Sequence, residues 1–149
     1  MKEEDIRFII EKVVQQMERD KEKMQSFGKI ADKSGVMCIK TATVIPEPFD
    51  TGVPDNQVKL TDIVTLKESP RIGAGVMEMT KSEFAWTLKY DEFDYIIDGS
   101  LSIKIGDNII TGEKGDILYI PKGSAIHFSV PEFARFVYFT YPADWQEQE

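Results

Sequence analysis

The sequence predicts an all-β fold, a sandwich or barrel, preceded by one amphipathic α-helix. Three observations carry this expectation. Apolar residues keep a helical period only as far as Met17. Beyond Gly28, short segments rich in Val, Ile, Tyr, Phe and Thr are separated by turn signals roughly every eight to twelve residues, the rhythm of a sandwich or barrel. The chain has 149 residues, 42% hydrophobic and 30% charged, which suits one core of ordinary size and would starve two.

In the helix, Ile6, Ile9, Ile10, Val13, Val14 and Met17 follow the i, i+3, i+4, i+7 pattern of one face. Glu3, Glu4 and Asp5 set negative charge against the positive end of the helix dipole. The charged run from Glu18 to Lys23 reads as a solvated extension, and Gly28 as the stop. Residues 1–28 are thus expected to form the helix and its linker, and residues 29–149 the β domain. An isolated helix cannot bury its own stripe, so these side chains call for a partner on the barrel, a second subunit or another protein.

The expected strands are Val36–Lys40, Val58–Leu66, Ile72–Met79, Glu83–Leu88, Glu92–Ile97, Leu101–Ile105, Asn108–Thr111, Asp116–Ile120, Ile126–Val130 and Ala134–Thr140. Gly106, Asp107 and Asn108 form a tight hairpin signal. Pro46 to Pro54, with Pro48, Asp50 and Gly52, reads as a loop.

Charge and composition narrow the function. A net charge of -8 opposes approach to nucleic acid or anionic lipid. The apolar runs are far shorter than the roughly 20 residues of a membrane helix, and the N-terminus lacks the pattern of a secretory signal, so a soluble cytoplasmic protein is expected. Cys38 is the single cysteine, which excludes an intrachain disulfide and a thiolate zinc cluster; it reads as a small buried apolar residue.

Two spaced signatures organise the second half. Glu92-Phe-Asp-Tyr-Ile-Ile-Asp-Gly99 has six residues between its acid and its glycine, and Gly115-Asp-Ile-Leu-Tyr-Ile-Pro121-Lys-Gly123 places glycine, proline and glycine at a strand entering a turn. Fifteen residues separate Gly99 from Gly115. Together they resemble the paired motifs of the cupin superfamily, which implies a small antiparallel jelly-roll barrel over about Ile72 to Phe139. The resemblance also shows what is missing. The positions of the family's first His pair hold Trp86 and Leu88, or Ala85 and Thr87 in the longer spacing, and the later His position holds Ile126. His127 lies one residue beyond, on the opposite strand face. Glu92 alone remains of that ligand set, and one carboxylate does not hold a transition metal, so none is expected.

Asp91 to Gly99, Ile-Pro-Lys-Gly-Ser at Ile120 to Ser124, and the ending Tyr138-Phe-Thr-Tyr-Pro-Ala-Asp-Trp145 resemble the EutQ family of ethanolamine-utilisation proteins. That resemblance implies a place in bacterial ethanolamine catabolism, in or at a protein-shelled microcompartment. It also implies acetate kinase activity on a small carboxylate with ATP, and a dimeric barrel. In that setting the N-terminal helix would dock on shell proteins.

The residues themselves supply parts for such chemistry without a known arrangement. Gly106 and Gly112 do not form a phosphate-binding loop, and Gly73-Ala-Gly75 is not a dinucleotide fingerprint. Glu92 and Asp94 share strand parity, and the cupin resemblance turns Glu92 inward. Such a pair would hold Mg2+ or move protons as the catalytic groups, or else remain a satisfied polar pair. Lys122 would meet a phosphate as a point charge or stay a solvated surface residue. Tyr119 and Tyr138 would line the substrate pocket or simply pack. The rival to the enzyme is a non-catalytic binding or assembly module whose helix recruits partners.

Overall fold

The computed structural model describes residues 2–24 and 27–148, with residues 19–24 described by backbone alone. The chain divides into two compact units, Met1–Val44 and Ile45–Glu149.

In the first unit, α1 spans Glu3–Met24 with its acidic first turn in place. Arg7 bridges to Glu3 one turn earlier at 3.2 Å. The apolar stripe stands exposed, from 45% at Ile6 to 65% at Met17. The charged run is helical in its backbone, and its side chains beyond Glu18 lie outside the described residues. Gly28 is not the helix stop; its N–H donates to Thr43 Oγ1 at 2.7 Å at the entry to a small hairpin. That hairpin pairs β1 (Lys29–Ala31) with β2 (Met37–Ile39). β2 falls within an expected strand, whereas β1 has too little pattern to announce itself. Cys38 is exposed, contrary to expectation, because Met37 and Ile39 take the half-buried face and alternation turns Cys38 away.

The second unit is antiparallel throughout: β3 (Glu47–Pro48), β4 (Gln57–Asp62), β5 (Gly73–Thr87), β6 (Asp91–Ile105), β7 (Asn108–Glu113), β8 (Ile117–Ile120) and β9 (Ala125–Tyr141). Their order is β3-β4-β5-β9-β6-β7, with β8 also on β6. Pairs of short expected strands are joined into the long β5, β6 and β9, which serve both faces of the jelly roll. The hairpin at Gly106 and Asp107 is present, closed by the pair Ile105 and Asn108. The loop around Pro48 carries the short β3.

Irregularities within the long strands decide which side chains face inward. In β5 the register shifts between Thr80 and Ser82, where Lys81 takes φ 46°. Inward positions change there from odd, as in Met77 and Met79, to even, as in Phe84. In β6 the chain bends at Gly99, φ 74°, where a Cβ would stand 2.0 Å from the Phe133 carbonyl oxygen. The half before the bend pairs with β8 and the half after it with β7. Phe136, Met79, Leu88, Ile96 and Leu101 fill the core with almost no exposure.

Candidate functional site

Alternation along β6 turns Glu92, Asp94 and Ile96 inward and Phe93 and Tyr95 outward. Glu92 is 5% exposed and Asp94 0%. Asp94 stands opposite Leu118 on β8 and Tyr138 on β9, and Glu92 opposite Ile120 and Thr140. With both acids ionised, neither carboxyl oxygen of Asp94 nor the hydroxyl of Thr140 has a hydrogen-bond partner among the described residues, and all three are buried. Desolvation therefore governs the pair. Burial, then the charge of Asp94, then the bond between the two carboxyls hold Glu92 well above the usual carboxylate range. Burial pushes Asp94 up to about 7, opposed by the hydrogen bond that protonated Glu92 supplies. Ionised together, neither carboxylate offers the other a donor; one shared proton supplies it and removes half the charge.

Above the acids lies a cavity open to solvent at its mouth, with about 350 Å³ of empty space when that open part is counted. Rings dominate its wall: Phe49, Phe84, Trp86, Tyr90, Tyr138 and Trp145, with Glu92 the charged residue among the lining. Trp86 donates through Nε1 to Tyr90 Oη at 2.8 Å. Tyr138 donates to Asp62 Oδ1 at 2.6 Å. Burial raises both phenols well above the ordinary tyrosine range, and Asp62 adds to the effect at Tyr138. Both rings are thus neutral hydrogen-bonding groups at physiological pH.

The structure brings Glu92, Asp94 and Tyr138 together and leaves Tyr119 and Lys122 elsewhere. Tyr119 does not line the pocket. It occupies an outward position of β8, stacks on Phe93 with ring centroids 4.7 Å apart, and lies 3.3 Å from Asp91 Oδ1. Lys122 sits exposed in the following turn, its backbone N–H donating to the same Asp91 oxygen at 2.8 Å. Neither side chain shares a face with the acids, because β8 turns Leu118 and Ile120 inward instead.

The cupin metal set does not fit this barrel. Trp86 faces Ile126 directly across β5 and β9, so the inward ligand positions carry an indole and an aliphatic group. His127 is exposed on the outer face. Among the described residues there is no group of three or more His, Cys, Asp or Glu able to hold a metal ion. Mg2+ is a different case, since it is commonly held by one or two carboxylates with waters and substrate phosphates completing its shell. The orphaned oxygens of Asp94 beside Glu92 match that smaller demand.

Several site residues escaped the sequence reading. Trp86 was legible as an unusual occupant of a ligand position, and that substitution was itself the signal. Asp62 and Gly75 gave none, since their role depends on pairing across three strands. Trp145 follows a cis Tyr141–Pro142 peptide and enters from a short 3-10 turn, yet it is only 9% exposed.

Comparison with known proteins agrees with the fold. The family model described as ethanolamine utilisation protein EutQ matches residues 1–147. A Clostridioides difficile protein named acetate kinase EutQ is 50% identical over 125 residues, covering 82% of this chain and 80% of its own. A Salmonella typhimurium protein of the same name is 38% identical over 121 residues, 81% of this chain; the chain spans about half of that relative, 52%. The solved structure of the Clostridium difficile EutQ protein superposes with a TM-score of 0.81 at 49% identity, covering 83% of this chain and 93% of that one. An RmlC-like cupin from Shewanella frigidimarina, with a TM-score of 0.56 at 13% identity and covering 68% of this chain and 86% of its own, shares the fold. With the paired motifs, the barrel and these matches in agreement, the chain belongs to the EutQ family of ethanolamine utilisation proteins.

Proposed function

We propose that this chain is an acetate kinase of bacterial ethanolamine catabolism, passing a phosphoryl group between ATP and acetate, with Glu92 and Asp94 as its catalytic groups. The observation that carries the reading is the 50% identity, over 80% of its length, to the Clostridioides difficile acetate kinase EutQ. Acetate is small enough for the cavity, whereas the base and ribose of ATP would stay outside its mouth. Phosphoryl transfer asks mainly for positioning and charge neutralisation, because the attacking carboxylate needs no base. The singly protonated pair suits the first task, since a buried carboxylic acid that keeps its proton donates to an anion. Tyr138 would orient acetate against Glu92 from β9. Mg2+, held by the one carboxylate of the pair that is ionised, would supply neutralisation of the phosphate oxygens.

A second reading, a binding or assembly module without chemistry, is favoured by one observation: the cavity wall includes no Lys, Arg or His to meet a phosphate. A coupled assay of the purified protein with acetate, ATP and magnesium decides between them. Acetate-dependent ADP formation supports the kinase; none, from a folded barrel, selects the module.

The chain would act as a homodimer in or at the microcompartment. Support for the dimer lies on the outer face of β6, β8 and β9, where Phe93 is paired with Tyr119 and Phe139, and Tyr95 with Ile117. These side chains are 41% to 64% exposed, a contiguous apolar patch that a second copy would cover. The exposed stripe of α1 supports a further docking role toward shell proteins.

A further inference from the structure

We propose that the barrel cavity binds a small organic ammonium cation, enclosed by the rings of Trp86, Trp145, Tyr90 and Phe49 and held by the negative charge that Glu92 and Asp94 share. This goes beyond phosphoryl transfer and does not depend on it.

The wall is built from π-systems set steeply against one another. Trp86 meets Phe49 at 68°, Phe84 at 82° and Trp145 at 62°, with centroids 6.2 Å apart in each pair. Tyr90 and Tyr138 stand at 60° and 74° to Trp145. Rings make up most of the lining, so their edges and faces bound the cavity on several sides. Those faces carry negative electrostatic potential and attract cations.

The charge at the base of the cavity has the same sign. Glu92 lines it, and Asp94 lies beside Glu92 on the same inward face with both oxygens lacking a partner. No Lys, Arg or His shares the lining to offset them. A positive ligand would gain from both the rings and the acids, while a free anion must first find a proton or a metal ion.

The kind of cation follows from hydration. A divalent ion keeps its waters and takes oxygen ligands, so at the acids it would leave the aromatic wall unused. An alkylammonium group is weakly hydrated, presents methyl or methylene surface to the rings, and still carries the charge that the acid pair requires.

Both tryptophans of the chain line this cavity, so intrinsic fluorescence reports on it alone. The 149-residue protein is titrated with choline chloride and with its neutral carbon isostere dimethylbutanol at about pH 8, above the value of about 7 to which Asp94 is raised, so that the pair carries a negative charge. Choline should change the emission saturably and bind at least about tenfold more tightly than the isostere. The double variant Glu92→Gln with Asp94→Asn removes the charge and should weaken choline about tenfold while leaving the isostere unchanged, and Trp86→Leu should weaken choline about fivefold. Equal affinity for choline and the isostere, or no saturable change with choline, overturns the inference from the wild-type protein alone, whether or not the variants fold. The kinase assay is separate: phosphoryl transfer without choline binding removes this inference and leaves the enzyme, and choline binding without transfer does the reverse.

Discussion

Tyr138 reaches Asp62 across Gly75. Gly75 pairs with Asp62 on β4 and with Tyr138 on β9, and the phenol passes over it to donate to Asp62 Oδ1 at 2.6 Å. A Cβ at position 75 would stand 2.0 Å from the Tyr138 hydroxyl oxygen. The missing side chain is therefore what holds a cavity-lining ring in place.

Gly75→Ala should lower stability by about 1 to 3 kcal/mol, the usual cost of overpacking, and should displace the Tyr138 ring. Thermal melts test the first effect. In a Tyr138→Ala background most of the penalty should vanish, because the clash has lost its partner. An equal penalty in both backgrounds would place the cost elsewhere.

The buried acids should make the barrel sensitive to pH in a direction opposite to ordinary acid denaturation. Asp94 is raised to about 7 and Glu92 is raised well above the usual carboxylate range, so the folded chain binds protons that the unfolded chain has released. Their neutral form costs little below about pH 4, and that advantage is lost as pH rises through the folded values. Asp94→Asn should thus melt near the wild type at about pH 4 and increasingly above it toward about pH 8, by on the order of a few kcal/mol. Melting curves of both proteins across this range check the sign.

How far the site was legible follows from these same strands. The shared face of Glu92 and Asp94 was readable from strand parity, but that it is the inner face was legible only through the cupin resemblance, since alternation by itself would have turned Phe93 and Tyr95 to the core. Tyr119 was misplaced because Ile117-Leu-Tyr-Ile120 is apolar throughout and its alternation carries no signal. The shift at Lys81 was silent as well, since a lysine with positive φ has no sequence mark. Without that shift, Trp86 would have faced outward. Long strands were read as separate short ones because Gly99 and Pro131 look like ends, although the ladder continues past both.

Elemental analysis of the purified protein should find no stoichiometric iron, zinc, manganese or nickel. The reason is the chemistry at the inward ligand positions, held by Trp86, Leu88 and Ile126. A near-equimolar transition metal that disappears in Glu92→Ala would reject that reasoning.

Phe93→Glu should leave the barrel folded and convert a dimer to monomer, since Phe93 is 50% exposed on the outer face and stacks on Tyr119. Sedimentation velocity distinguishes the species. A wild-type monomer, or a variant that remains dimeric, would show that this patch serves another purpose.

The central claim is that the buried acid pair performs the chemistry of the cavity. Acetate-dependent phosphoryl transfer from ATP, measured for the wild type and for Glu92→Gln with melting curves recorded in parallel, tests it most directly. Glu92→Gln keeps the side chain's shape, so the variant should melt no lower than the wild type while its kcat falls by at least about a hundredfold. A folded variant with unchanged kcat would contradict the claim and move the chemistry out of this cavity.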